Sequence, residues 1–144
     1  IILGSMPGVE SLNQQQYYAH PRNLFWPFMA ELFNFQLEQS YETRLIKLLE
    51  HGVALWDSAG SCIRPGSLDS NIRDVVPNDF ELLFKQYPGV KTVFFNGRAA
   101  ENLFKKHTKD MRLPELNYIP LPSTSPANAS ISREQKWTQW QQVK

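Results

Sequence analysis

Apolar residues in this chain come in short bursts, separated by polar segments rich in glycine and proline. Ile1, Ile2 and Leu3 read as a buried strand that breaks at Gly4-Ser5-Met6-Pro7-Gly8. Leu24, Phe25, Phe28, Met29, Leu32 and Phe33 recur at helical spacing, with Pro27 in the first turn, where its missing N–H costs least. Ser40 opens a second helix striped by Leu45, Leu48 and Leu49, and Gly52 stops it. Residues 53–56 are a second short strand, leading into Asp57-Ser58-Ala59-Gly60-Ser61 and a loop over 64–71. Pro77-Asn78-Asp79 start a third helix with Phe80, Leu83, Phe84 and Tyr87 on one face, and Pro88-Gly89 end it. Residues 90–95 form the third strand, tipped by Asn96-Gly97, and a helix follows from Arg98 to His107. Asn117–Leu121 is the last strand. Ser132 with Gln135 three residues on is a capping box for a closing helix that holds Trp137 and Trp140.

Strands alternating with helices imply a parallel sheet with right-handed crossovers and helices on both faces. The expectation is a single three-layer αβα domain over residues 1–144, of α/β class, around a central, mostly parallel four-stranded sheet. Such sheets bind ligands beyond the carboxyl ends of their strands. Here those ends carry residues 4–8, 57–61, 96–97 and 123–128, so four polar loops should gather on one edge. The longest of these connections, after the first strand, holds Tyr17, Tyr18, His20 and Asn23 just before a helix, where binding and catalytic groups are over-represented.

Composition narrows the classes. A length of 144 residues suits one hydrophobic core, and 42% apolar with 20% charged residues gives no reason for disorder. Nine Phe and four Trp supply flat faces on which a ligand can stack as well as core. A net charge of +1 argues against bulk coating of nucleic acid, yet leaves room for a local basic face on a few phosphates. The single cysteine, Cys62, excludes an internal disulfide and suits a reducing compartment. Three scattered histidines, His20, His51 and His107, give no zinc spacing, so no metal is expected. No apolar run is long enough to span a bilayer and no signal peptide is visible, which places the expected location in the cytoplasm. Because the chain starts in mid-strand, a trimmed N-terminus is expected.

Several local patterns have two readings each. The 4–8 turn could cradle a phosphate or be a sharp strand exit, but it lacks the G-x-x-x-x-G-K-[ST] and G-x-G-x-x-G spacings. His20 could be a general base or merely bond the loop backbone. Asn23 could orient a water through its amide or serve at the start of the helix. Asp57 could read a base edge, act in acid–base chemistry, or cap a turn. Ser123, Thr124, Ser125, Pro126, Ala127 and Asn128 offer hydroxyls and N–H groups suited to a phosphodiester, with short apolar residues that could press into a duplex; otherwise they are a serine-rich turn. No serine sits in a G-x-S-x-G elbow.

Taken together, Gly4-Ser5-Met6-Pro7-Gly8, Tyr18-Ala19-His20-Pro21-Arg22-Asn23 with Phe25-Trp26, and Leu121-Pro122-Ser123-Thr124-Ser125-Pro126-Ala127-Asn128 resemble the uracil-DNA glycosylase superfamily. Asp57-Ser58-Ala59-Gly60-Ser61 and Phe95-Asn96-Gly97-Arg98 fall between them in the right order, and the similarity is greatest to the hypoxanthine (deoxyinosine) branch. The resemblance implies a monofunctional enzyme that rotates a deaminated base out of DNA and hydrolyses its N-glycosidic bond, with hypoxanthine first and uracil second. It implies Asn23 and Asp57 as catalytic residues. It makes Gly4, Ser5, Met6, Tyr18, His20 and Asn96 the base-binding set, and residues 123–128 the grip on the backbone and the filler of the gap. Met6 departs from the pattern, because relatives carry a water-orienting Asn or Asp there. The implied partner is double-stranded DNA, with single strands as a second form, bound by a monomer in a prokaryotic cell, at the nucleoid, with no cofactor and no membrane. The competing classes are an inactive lesion-binding member of the same fold and a flavin or nucleotide carrier.

Overall fold

The computed structural model describes residues 1–144. In chain order the elements are β1 (Ile2–Gly4), α1 (Val9–Gln14), α2 (Phe25–Phe33), α3 (Tyr41–Glu50), β2 (Leu55–Asp57) and β3 (Ala59–Ile63). They continue with β4 (Arg73–Pro77), α4 (Phe80–Gln86), β5 (Thr92–Asn96), α5 (Arg98–His107), β6 (Asn117–Leu121) and α6 (Arg133–Trp140). The main sheet has four strands in the order β2-β1-β5-β6, every pair parallel. This is the α/β architecture that the strand–helix alternation predicts.

Side-chain alternation along the two interior strands divides the core. Ile2 and Phe94 point to one face and join Phe25, Phe28, Met29, Leu48 and Trp140 from α2, α3 and α6. Leu3, Val93 and Phe95 point to the other and join Phe80 and Phe84 of α4 with Ala100 and Phe104 of α5. Strands buried on both faces by helices read as continuous apolar runs, which is why β1 and β5 are visible in the sequence. Pro120 sits in β6, an edge strand, where a missing N–H is tolerated.

The helix starts follow the sequence signals. Ser40 accepts a hydrogen bond from the Thr43 N–H at 3.2 Å, and Asp79 accepts one from the Leu82 N–H at 3.0 Å. The Ser132 hydroxyl and Gln135 side chain close a reciprocal capping box, at 3.2 and 3.1 Å. Gly52 ends α3 with φ +74°.

Three local features differ from the sequence reading. Residues 9–14 of the long first connection are helical rather than extended loop. The second strand runs to Asp57, so Asp57 ends the strand instead of following it. Residues 59–77, where the sequence suggests a polar segment to Ser61, a loop over 64–71 and a helix opening at 77–79, form an antiparallel hairpin, β3 with β4, interrupted by register shifts. Its arms are mostly exposed and carry Gly60, Ser61 and Asp74, so the apolar alternation that marks a strand is missing.

At the corner between β5 and α5, Gly97 has φ +96°, and a β-carbon there would stand 3.0 Å from Ser123 Cβ. Gly97→Ala would combine left-handed strain with crowding. The expected loss is about 1–3 kcal/mol, read as a lower urea midpoint at unchanged slope. An unshifted midpoint would show that the corner has room to spare.

Candidate active site

The four strand ends and the loop before α2 enclose one cavity of about 560 Å³, within the ~300–1,000 Å³ usual for small-ligand sites. Gly4, Ser5, Met6, Tyr18, His20, Asn23, Asp57, Asn96 and residues 123–127 all line it. Asn128 does not; it braces the serine-rich turn from behind, donating from Nδ2 to Ser123 O at 3.2 Å.

Asp57 forms the floor. Register pairs it with Gly4 across β1 and β2. Its backbone is held by Asn78 Nδ2, which donates to Asp57 O at 2.7 Å, and by the next residue, whose N–H donates to Gly4 O at 2.8 Å. The side chain meets no hydrogen-bonding group of the protein, and Oδ1 stands 2.7 Å from where a Gly4 β-carbon would be. Burial pushes the Asp57 carboxyl up from 3.8 to about 7, against the downward pull of the Arg64 cation.

Tyr18 reaches the same point from the loop before α2. Its hydroxyl lies 3.3 Å from that Gly4 position, buried and without a partner. Neighbouring Asn96 donates to Thr124 Oγ1 at 2.9 Å. Burial, then the Asp57 charge, raises the Tyr18 phenol, against a smaller downward pull from the Asn96 amide close to its oxygen, so it stays protonated. One ring face stacks on Phe25 at 4.0 Å between centroids. The backbone takes φ 56°, a left-handed value that is uncommon for an aromatic residue and occurs where structure around it enforces it.

Asn23 serves at the start of the helix and also faces the cavity. Its Oδ1 accepts the Phe25 N–H at 2.9 Å at the start of α2, while the residue lines the cavity and Nδ2 has no protein partner. His20 Nδ1 accepts the Arg22 N–H at 3.1 Å, which leaves Nε2 to carry the ring proton of the neutral form. The turn at residues 123–128 is pinned by Thr124, which is 1% exposed. The Thr124 N–H donates to Asn96 Oδ1 at 3.0 Å, and its carbonyl accepts the Leu24 N–H at 3.0 Å. Ser123 and Ser125 hydroxyls each accept an N–H two residues on, at 3.2 Å, so this is also the serine-rich turn of the plainer reading. Pro126 is half-buried and Ala127 exposed at its tip.

Arg64 is the cavity residue that sequence reasoning passed over. It follows β3, and its side chain is 5% exposed. Nη1 pairs with Asp69 Oδ1 at 3.1 Å, and Nη2 donates to the carbonyls of Met6 and Pro7. Ser5 Oγ donates to the same Asp69 oxygen at 2.7 Å. The hairpin loop thereby clamps the 4–8 turn and places a cation in the cavity wall. The one available signal was that Arg64 is the sole charged residue between Asp57 and Asp69.

A parallel sheet opening at its carboxyl edge onto a cavity with an aromatic wall, an amide and an unpartnered carboxyl is the arrangement of an α/β enzyme acting on a flat polar ligand. The model of the uracil DNA glycosylase superfamily matches residues 1–144, and the chain belongs to that superfamily of DNA glycosylases. A hypoxanthine DNA glycosylase of Methanosarcina acetivorans is 36% identical over 143 residues, covering 95% of this chain and 86% of that one. Its namesake from Methanosarcina barkeri is 37% identical over 101 residues, covering 69% and 64%. The solution NMR structure of a Methanosarcina acetivorans protein, assigned as a candidate uracil DNA glycosylase, superposes with TM-score 0.82 at 34% identity over 99% of this chain and 86% of that one. No helix is long and apolar enough to cross a membrane.

A carboxyl whose folded value lies above its unfolded one binds its proton more tightly in the folded state. Its contribution is therefore greatest at low pH and is lost as pH rises from 3.8 through about 7. Asp57→Asn should leave stability near pH 3 little changed and raise the melting temperature at pH 8, by roughly 2–6 °C. A variant no more stable than the parent at pH 8 would mean that the carboxylate is adequately solvated there.

Proposed function

We propose that this chain hydrolyses the N-glycosidic bond of hypoxanthine in DNA, leaving an abasic site, with uracil as the lesser substrate. The observation that carries this reading is the convergence of Asn23, Tyr18 and the serine-rich turn on a single cavity. The lesion has to leave the helix first, at a cost of a few kcal/mol that mispairing partly offsets. The Ser123 and Ser125 hydroxyls, which accept bonds within the turn and keep their own protons to donate, hold the strand beside the lesion, and Pro126 and Ala127 fill the gap. The ring of Tyr18, backed by Phe25, gives the extruded base a face to stack on, worth about 1–3 kcal/mol. Gly4, Ser5, Met6 and His20 border the base, and Asn96 acts at one remove by fixing Thr124.

Asn23 holds the attacking water. Its Oδ1 retains a second lone pair beyond the Phe25 bond, and Nδ2 is free to donate. An amide is a poor base, so bond breaking runs ahead of water attack and the sugar passes through an oxocarbenium-like state, stabilised by position and charge. Asp57 completes the catalytic pair. The cavity lining includes no lysine, which fits a monofunctional enzyme without a Schiff base. The buried Lys136 lies elsewhere, donating from Nζ to Asn128 O at 2.7 Å. The substrate form is a duplex, engaged by a monomer without a cofactor, inside the cell where genomic DNA resides.

The test is base release from inosine- and uracil-bearing oligonucleotides under single turnover. Asn23→Ala should lose on the order of 100-fold or more in the rate on inosine, with little change in duplex binding. Full-rate release by the variant removes Asn23 from the chemistry. Tight lesion binding without release by the parent chain selects the inactive-binder reading, for which Met6 in the first motif is the motivating residue.

A further inference from the structure

Two side-chain oxygens at the cavity floor make no hydrogen bond that meets ordinary geometry within the protein, whereas the serine-rich turn and the Arg64 clamp beside them are bonded. Asp57, 8% exposed, makes no side-chain hydrogen bond and faces the cavity. The Tyr18 hydroxyl is buried and unbonded. Both oxygens converge on the α-carbon of Gly4, standing 2.7 and 3.3 Å from its missing β-carbon. Buried polar groups in native proteins are nearly always satisfied, so a buried, unbonded hydroxyl beside an unbonded carboxyl that opens onto a cavity points to bonds made with a ligand or during reaction.

We propose that Asp57, in its neutral form, delivers a proton to N7 of the departing hypoxanthine, and that Tyr18 and Arg64 are the positioning residues that hold the carboxylate this leaves behind. The inference rests on the reading of the site as a glycosylase centre and assigns its leaving-group chemistry. Purines carry a basic ring nitrogen at N7 in the five-membered ring from which the sugar departs. Protonation there lets the C1′–N9 pair of electrons withdraw into a ring that leaves neutral rather than as an anion. The water oxygen then bonds C1′ and gives up one proton, which returns through solvent to the carboxylate. No net proton, oxidant or cofactor is consumed. A pyrimidine offers no such nitrogen.

The surroundings suit a carboxyl that must begin neutral and end charged. Burial favours the protonated form, so a large share of Asp57 carries its proton near neutrality. The ionisable groups that face it are Tyr17 and Tyr18 from the loop before α2 and Arg64 after β3. β1 and the β4–α4 connection contribute only Gly4 and Asn78. Tyr17 is pushed up to about 12, and Tyr18 is raised as well, so both remain neutral. Arg64 is then the one cation facing the carboxyl, anchored by Asp69, Met6 and Pro7. After proton transfer, the unused Tyr18 O–H, which converges with Asp57 Oδ1 on Gly4, is available to donate to the new carboxylate.

The experiment is the pH dependence of single-turnover release from an inosine duplex, pH 5.5 to 9. The parent rate should fall about tenfold per unit above a midpoint near 7. Asp57→Asn should lose that limb and run roughly 100-fold slower at the acid end. Tyr18→Phe and Arg64→Gln remove groups that favour the carboxylate, so each should move the limb to higher pH, whereas a merely structural role would lower the rate without moving it. Tyr18→Phe deletes one oxygen only and keeps the test alive if Asp57→Asn fails to fold. A flat parent profile, an Asp57→Asn rate within threefold of the parent, or limbs unmoved in both positioning variants overturns the acid role alone. No release by the parent at any pH overturns it together with the glycosylase reading.

Discussion

At Gly4 the chain leaves the middle of the sheet with Asp57 Oδ1 and the Tyr18 hydroxyl closing over its bare α-carbon. A side chain of any size there would collide with a carboxylate oxygen at 2.7 Å. The site depends on this close approach. Gly4 ends β1, where it pairs with Asp57 of β2 and its carbonyl accepts the Ser58 N–H at 2.8 Å, while the two residues before it are held between β2 and β5. Asp57 is fixed by that register, and Tyr18 is brought over the top by a loop whose backbone is in the left-handed region. Two oxygens from distant parts of the sequence are thereby held against each other's desolvated surroundings with no protein donor or acceptor between them.

On the rims beside this floor, polar groups bond one another. Asn96 exchanges two bonds with Thr124, Thr124 takes the Leu24 amide, and Trp140 Nε1 donates to Pro122 O at 2.9 Å. These bonds couple the end of β5, the start of α2 and the serine-rich turn into one rigid rim. Arg64 does the same for the opposite rim, tying the β3–β4 hairpin to the 4–8 turn. The contrast between a bonded rim and an unbonded floor locates the chemistry more sharply than the cavity volume does. A ligand entering between the rims meets turn residues that are already positioned, and its own edge supplies what the floor lacks.

How much of this could be read from the sequence follows from which physical signals are local. Ile2 and Leu3 belong to opposite faces of a doubly covered sheet, and an apolar run records that directly. Ser40, Asp79 and Ser132 are caps whose partners lie three residues away, so spacing reveals them. The β3–β4 hairpin was not legible, because its strands are exposed, irregular in register and held largely by backbone bonds to each other. Arg64 was not legible for a related reason: its partners Met6 and Pro7 lie more than fifty positions away, and only folding brings them together. The motif resemblance did collect Asn23, Tyr18, Asp57 and the serine-rich turn, and the folded chain sets them around one cavity. It could not show that Asn96 and Asn128 spend their amides bracing the turn, since that depends on which atoms already have partners.

The placement of Asp57 also bears on why a carboxyl stands at the end of β2 at all. A turn cap would have been exposed or bonded to nearby N–H groups, which lowers a carboxyl's pKa and adds stability near neutrality. Asp57 has the reverse properties: it is buried, without a donor, and pushed up to about 7, so its ionisation opposes folding. An asparagine would fill the same volume without that penalty. Arg64 is close enough to lower the carboxyl's pKa, yet its own hydrogen bonds go to Asp69 and the 4–8 turn. That arrangement keeps both protonation states of Asp57 accessible near neutral pH instead of locking in the carboxylate. Groups held between two charge states in a desolvated cleft are characteristic of proton transfer rather than of scaffolding. The tyrosine beside it differs in staying neutral, with a hydroxyl that is buried and unbonded.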